Sequence, residues 1–383
     1  MGLSMSDAFR RNDGTGKQNI VSAGPHTLRL VSGVGRKGPA CFVVETAGKR
    51  LMLDLGDGPP PGLLPDVEDV GPLDALVISH GHKDHVGGLS LLAKLGNPPV
   101  YATEIVARGL PQDLQVRPLP IGGTSDVLGI EVTTGRNGHA PGGVWLHFAI
   151  GAGLLYTGDW SKESILYAYD PPAKTAAIAL VDCSYADYDR PIGECWSALE
   201  PFAERGPVLL PAPANGRGPE IALEFLRYGR TDIYVDDATR RVLRQLCTTD
   251  TASVRSGVDD DLKALAATAK PIDGARGIML AASADGTSGA SKSLLEQWEH
   301  AGAPAIVFTG YRAPDTPADR LIKNGRAHFL RWNVHPRLAD AVALAHDVKA
   351  KTVIPAFCDR SRLDALAQAF APSQVTMDGP VKL

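Results

Sequence analysis

The chain of 383 residues is long enough for two compact domains or one large α/β unit, and 44% hydrophobic with 21% charged residues excludes a disordered or fibrous protein. A formal charge of −4 excludes a broadly basic surface, so a nucleic-acid partner would need a local basic groove. No apolar run approaches the roughly 20 residues needed to cross a bilayer.

In chain order, "MGLSMSDAFRRNDGTGKQ" lacks the apolar core of a signal peptide; Gly2 and Ser6 meet the myristoylation pattern, but the segment reads as a frayed tail. "HTLRLVSGV", "ACFVVETAG" and "KRLMLDLG" are short, apolar or β-branched and punctuated by glycine, which predicts strands. "LDALVISHGH" predicts a buried strand that delivers a histidine-rich turn, and "VGGLSLLAKLG" a helix closed by Gly96. Strands follow at "PVYAT", "IEVTTG", "GVWLHFAIG" and "GLLYTGDW". From about residue 176, strands ("AIALVDCS", "GPVLLPAP", "TDIYVDD", "RGIMLAAS", "PAIVFTG") alternate with helices such as "GPEIALEFLRYG" and "SKSLLEQWEHAG". That alternation predicts a mostly parallel sheet with helices on its faces. The chain closes with a helix "HPRLADAVALAHDVKA", a strand "KTVIPAF" and a helix "SRLDALAQAF". No Pro/Gly-rich linker divides the halves, so the second unit reads as an insertion. Five scattered cysteines without a CxxC pair suit reduced thiols in a cytoplasmic protein.

Three of the ten histidines fall in "SHGHKDH", as His80, His82 and His85, with Asp84 among them. Burying four such groups together needs compensation that a metal supplies. Imidazole with carboxylate suits zinc, with manganese and iron as alternatives. An extended turn aims His80 and His82 to one side, while Asp84 and His85 open the next helix and face a second ion. Two ions roughly 3.5–4 Å apart would polarise a substrate oxygen and generate hydroxide near neutral pH. Four residues do not fill two shells, so more ligands are expected downstream. His139 in "RNGHAPGGVW" and Asp159 in "LLYTGDW" are the candidates, Asp159 as a bridge. Lone histidines such as His26, His147 and His300 read as surface or satisfied core residues.

"SHGHKDHVGG" resembles the signature of the metallo-β-lactamase superfamily, an αββα sandwich with its metals at one edge. "LMLDLG" is similar to its first motif, which makes Asp54 the residue that steadies the histidine loop. His139 and Asp159 fall where its third and fourth motifs fall. In the second half "VDCSYADYDRP" resembles motif A of the β-CASP branch, with Asp182 at the acidic position. "VLLPAPANGRGPEIALEFL" is similar to that branch's "IPxFAxGRxQE" through Gly216, Arg217 and Glu220, and "RWNVHPRLADAV" places His335 at motif B.

The resemblance implies an α/β protein in three parts: residues 1–190 and 331–383 form the metallo-β-lactamase sandwich, and residues 191–330 an inserted β-CASP-type α/β domain. It also implies a zinc-dependent nuclease for RNA or DNA, with a metal-bound hydroxide attacking phosphorus, catalysis by Asp84 and His335, and His335 serving the leaving oxygen. The metal ligands would be His80, His82, Asp84, His85, His139 and Asp159, with Asp54 and Asp182 behind them. Arg217 would contact a phosphate or form an ion pair with Glu220. Motif C of the branch usually ends in "HGE", whose histidine completes the second metal's shell. Here the corresponding stretch is "KTVIPAFCDRSR", which leaves Cys358 or Asp359 as the replacement ligand, or Cys358 as apolar filler. DNA-directed members lack the histidine too, so RNA and DNA both stay open. Two alternatives stand beside the nuclease: a small-molecule hydrolase of a thioester, lactone or cyclic phosphodiester, and a catalytically reduced scaffold. No membrane partner is expected, and the C-terminal helix is a candidate for pairing two copies.

Overall fold

The computed structural model describes residues 26–383; the Gly2 and Ser6 pattern lies outside them. Strands with one apolar face must stack to bury it, and two seven-stranded sheets do so among the described residues. The first runs Val381–Lys382, Thr27–Ser32, Cys41–Thr46, Lys49–Leu53, Ala75–Val77, Val100–Thr103, Val116–Leu119. The second runs Gln374–Val375, Thr352–Ala356, Ile178–Asp182, Leu154–Tyr156, Val144–Phe148, Ile130–Arg136, Gly123–Val127. Phe42, Val44, Leu53 and Val77 of the first meet Leu146, Phe148, Tyr156 and Ile354 of the second in one apolar core. Helices Leu338–Asp347 and Leu363–Ala369 cover the outer side of the second sheet through Leu344 and Leu366.

A third, six-stranded sheet draws on residues 208–329, and all its pairings are parallel. Its order is Lys270–Pro271, Ile233–Val235, Ile278–Ala281, Val208–Pro211, Ala305–Phe308, His328–Phe329. Helices Ile192–Glu204, Arg217–Arg227, Asp237–Thr248 and Asp259–Thr268 pack one face through Trp196, Ile221, Leu243 and Leu262. Gly289–Trp298 and Pro317–Lys323 pack the other through Leu295 and Leu321. The chain then returns, giving strands to both sheets of the sandwich. No described helix is long and apolar enough to cross a membrane.

Two local outcomes differ from the sequence pattern. "LSLLAKL" forms a 3₁₀ rather than an α-helix over Leu89–Leu95, ended by Gly96 at φ 82°. Leu89, Leu92 and Leu95 recur every third residue, which stacks them on one face only at three residues per turn. The edge strands Val116–Leu119 and Gly123–Val127 carry little apolar alternation, and Pro118 sits where an edge tolerates it.

The histidine turn follows the short inner strand Ala75–Val77, which pairs in parallel with Lys49–Leu53 and Val100–Thr103. Its backbone is clamped from one side: Ala40 N donates to Asp84 O (2.8 Å) and Leu55 N to His85 O (2.9 Å). Gly56 lies so close that a Cβ there would stand 1.8 Å from the Asp84 carbonyl oxygen. Gly56→Ala is therefore expected to displace the turn and cost about 1–3 kcal/mol of stability, checked by urea unfolding.

Candidate metal centre

The loops that carry the candidate residues leave the carboxyl ends of strands in both sheets of the sandwich. His80 to His85 follow Ala75–Val77, and His139 follows Ile130–Arg136. Asp159 follows Leu154–Tyr156, and Asp182 ends its own strand. Val144 N donates to Ser79 O at 2.9 Å, tying the histidine turn to the second sheet. His80, His82, His139 and Asp159 each offer a ligand atom, all within 4.8 Å of one another. Asp84, His85 and Asp159 form a second such group, and Asp159, Asp182 and His335 a third.

The proton positions follow from fixed acceptors. A carbonyl oxygen only accepts, so His82 Nε2 donates to Asn215 O (2.5 Å) and His139 Nδ1 to Val334 O (2.6 Å). Their other nitrogens, His82 Nδ1 and His139 Nε2, then face each other as lone pairs 2.9 Å apart. Burial holds both imidazoles below their ordinary pKa, and drives His80 well below it. Two neutral rings in that arrangement repel unless a cation lies between them. His80 Nε2, His85 Nε2 and Asp159 Oδ1 are buried without a hydrogen-bond partner. Such orphaned atoms are uncommon in folded proteins. The donor set therefore fits a metal ion.

Asp54 is wholly buried behind the turn with φ 55°, a conformation unusual for a residue with a side chain. Its carboxylate accepts from Ser79 N (2.7 Å), Ser79 Oγ (2.6 Å), Tyr156 OH (2.5 Å) and His85 Nδ1 (2.7 Å). The last bond fixes the ring so that His85 Nε2 points at Asp159 Oδ1, 3.2 Å away. Burial would lower the His85 pKa, but Asp159 and Asp54 outweigh it and hold it well above the ordinary value. Burial likewise would raise Asp159, and His85, His335 and His139 keep it well below the usual carboxylate range.

Asp182 Oδ2 accepts from His335 Nδ1 at 2.8 Å, while its Oδ1 accepts from Ser184 N at 2.9 Å. The His335 loop is further held by Tyr185. Its OH donates to Trp332 O (3.0 Å) and accepts from Val334 N (3.1 Å), and its ring stands edge-on to His335 at 5.1 Å.

Arg217, Cys358 and Asp359 are not brought to the centre. Arg217 is buried inside the third-sheet unit and donates from Nε to Thr309 Oγ1 (3.0 Å), with burial pulling its pKa down to about 10. It makes no ion pair with Glu220 among the described residues; Glu220 instead accepts from Ile165 N at 2.9 Å. Cys358 packs with Cys183 and Phe370 on the outer side of the second sheet, away from the centre, and burial pushes its thiol up to about 12. Asp359 is exposed and caps the 3₁₀ turn Arg360–Arg362 through Ser361 N. His147, set aside in the sequence, donates from Nε2 to Thr175 O (2.9 Å). Sequence reasoning missed Ser79, Tyr156, Tyr185, Lys37 and the Asn215 carbonyl. Ser79, Tyr156 and Tyr185 stand inside quoted motifs; a backbone carbonyl leaves no signal in residue identity.

Residues 34–200 match the model of the Metallo-beta-lactamase superfamily. Transcription termination factor FttA of Cenarchaeum symbiosum is 28% identical over 251 residues, 53% of this chain and 39% of that protein. Endoribonuclease ysh1 of Schizosaccharomyces pombe is 24% identical over 344 residues, 74% of this chain and 45% of that one. Ribonuclease TTHA0252 of Thermus thermophilus is 30% identical over 242 residues, 51% of this chain and 55% of that one. The chain thus spans about half the length of the curated relatives it matches. A crystal structure of a protein of unknown function from Enterococcus faecalis V583 shares the fold at a TM-score of 0.58 and 14% identity, over 94% of this chain and 100% of that one.

Two expectations follow from this geometry. Asp54→Asn puts an amide donor among donors and is expected to weaken metal affinity by about 10–100-fold, measured by chelator competition. Burial raises the Glu220 pKa from 4.5 to about 7, against hydrogen bonds from Ser164 and Ile165. The folded state therefore binds this proton more tightly than the unfolded one. Its contribution to stability is present below about pH 4.5 and is lost as pH rises towards 7. Unfolding titrations across that window should show a fall that Glu220→Gln flattens.

Proposed function

We propose that this chain, whose residues 34–200 match the metallo-β-lactamase superfamily, is a metal-dependent phosphodiesterase that cuts RNA, with DNA as the alternative substrate. One observation carries the reading: a four-ligand cation seat adjoins a histidine whose Nδ1 is held by a carboxylate. Relatives named endoribonuclease and ribonuclease favour RNA over DNA. Within this proposal residues 1–190 and 331–383 are the sandwich and residues 191–330 the inserted domain. Five free cysteines suit a cytoplasmic setting.

The proposed metal is zinc, held by His80, His82, His139 and Asp159, because three imidazoles and a carboxylate are its usual partners. A bound divalent ion would supply Lewis acidity to the phosphodiester and to the water that attacks it. Asp84, half-buried beside His85 and Asp159, takes the proton from that water. His335, oriented by Asp182, gives a proton from Nε2 to the leaving oxygen. Asp182 acts through His335 and is a positioning residue.

Phosphate contact passes from Arg217 to Arg331. Its guanidinium lies over the rings of Tyr185 (4.3 Å) and Tyr188 (4.6 Å), and Tyr185 abuts His335. A cation is thereby held beside the proton donor.

End-labelled RNA and DNA incubated with zinc-loaded protein test the proposal. RNA cleavage that stops on chelation is expected, and Asp84→Ala should abolish it. His335→Ala should lower turnover by about 10²–10⁴-fold with metal content unchanged; a loss of metal would instead make His335 a ligand. Intact RNA and DNA alongside hydrolysed small esters would move the function to a small-molecule hydrolase.

A further inference from the structure

The corner formed by Asp84, His85 and Asp159 gathers three ligand atoms, and no fourth His, Cys, Asp or Glu joins that group among the described residues. Phe357 and Cys358 follow the strand Thr352–Ala356. The Phe357 ring stands edge-on to His85, with centroids 5.3 Å apart, and Cys358 faces the opposite side of the sheet. An aromatic face thus occupies the position from which another ligand would have to reach.

Lys37 enters the same corner from the loop between Thr27–Ser32 and Cys41–Thr46. Its Nζ donates to Ser184 Oγ at 2.9 Å and lies 5.3 Å from the centroid of that same Phe357 ring. The Ser184 amide in turn donates to Asp182 Oδ1 at 2.9 Å. The charges of Asp159, Asp84 and Asp182 act on the ammonium, which makes no contact ion pair with any of them among the described residues. One positive charge is thereby shared among three carboxylates rather than spent on one. Burial works against that charge, and the three carboxylates outweigh it, holding the Lys37 pKa above its ordinary value.

We propose that the Lys37 ammonium takes the place of a second metal ion at the Asp84–His85–Asp159 corner, so that the centre holds one metal ion per chain. The inference rests on the metal-centre reading above for the first ion, at His80, His82, His139 and Asp159. A dication entering the corner would meet a fixed like charge held by Ser184 and the Phe357 face. It would also find only three protein donors, one of them, Asp159, already shared with the first ion. Lys37 neutralises the same carboxylates without exchange with solvent.

The test is a metal count. Apo protein is equilibrated with zinc, desalted and measured by inductively coupled plasma mass spectrometry, with calorimetric titration alongside. Wild type is expected to hold one zinc per chain. Lys37→Met removes the charge and keeps the apolar stem against Phe357, and should rise towards two. Lys37→Arg keeps the charge and should stay at one. Circular dichroism establishes that each variant is folded; if Lys37→Met is not, the wild-type count decides. Two ions on wild type overturn the proposal and leave the metal centre standing, and so does a folded Lys37→Met that stops at one. A wild type that holds no zinc overturns the metal-centre reading, and this proposal with it.

Discussion

The centre depends on where the protons of two imidazoles sit. Carbonyl oxygens of Asn215 and Val334 each take an N–H, so His82 and His139 turn lone pairs towards each other across 2.9 Å. Left to itself that contact is repulsive, and burial removes the option of protonating one ring cheaply. The surrounding scaffold exists to hold it: Asp54 gathers four donors behind the turn, and Gly56 lets the Asp84 backbone come close. A cation resolves the repulsion, and the rigidity that maintains it is what makes the site ready to bind one.

Both carbonyls come from outside the early strands of the sandwich. Asn215 precedes helix Arg217–Arg227 of the third-sheet unit, and Val334 follows that sheet's last strand, His328–Phe329. The junction is apolar and hydrogen-bonded. Leu166, Tyr167, Trp332 and Val334 are buried in the same cluster as the third-sheet helices, Tyr167 OH donates to Gly216 O (2.9 Å), and Glu220 accepts from Ile165. The tautomers of the metal-facing histidines are therefore set only while the two units are docked. A metal bound there and docking would stabilise each other, since each favours the same arrangement.

Much of this was legible in residue order because the chemistry demands particular side chains. Three histidines and an aspartate after a buried strand have few other uses, and the strand–helix alternation of the second half predicts a parallel sheet. What stayed hidden has a common cause. Arg217 matches a phosphate-binding motif, yet packing turns its guanidinium inward to Thr309. Cys358 is a good ligand by type, but past the strand's end, where Phe357 turns at φ 62°, it packs on the outer side of the sheet while Phe357 faces His85. "LSLLAKL" winds as 3₁₀ because its leucines repeat every third residue.

Alone, the amino-acid sequence determined the ligand types, their order along the chain and the alternation of strands and helices, because local pattern and donor chemistry are written in residue identity. The tertiary structure decided which nitrogens of His82 and His139 are left as lone pairs, that Asp182 holds His335, and that Lys37 stands over the Phe357 ring. Those outcomes depend on backbone carbonyls and on residues brought together from distant parts of the chain. Lys37 and Ser184 are 147 positions apart, and His139 and Val334 are 195 apart. Such pairings follow from packing the sheets and docking the third-sheet unit, and no spacing in the sequence encodes them.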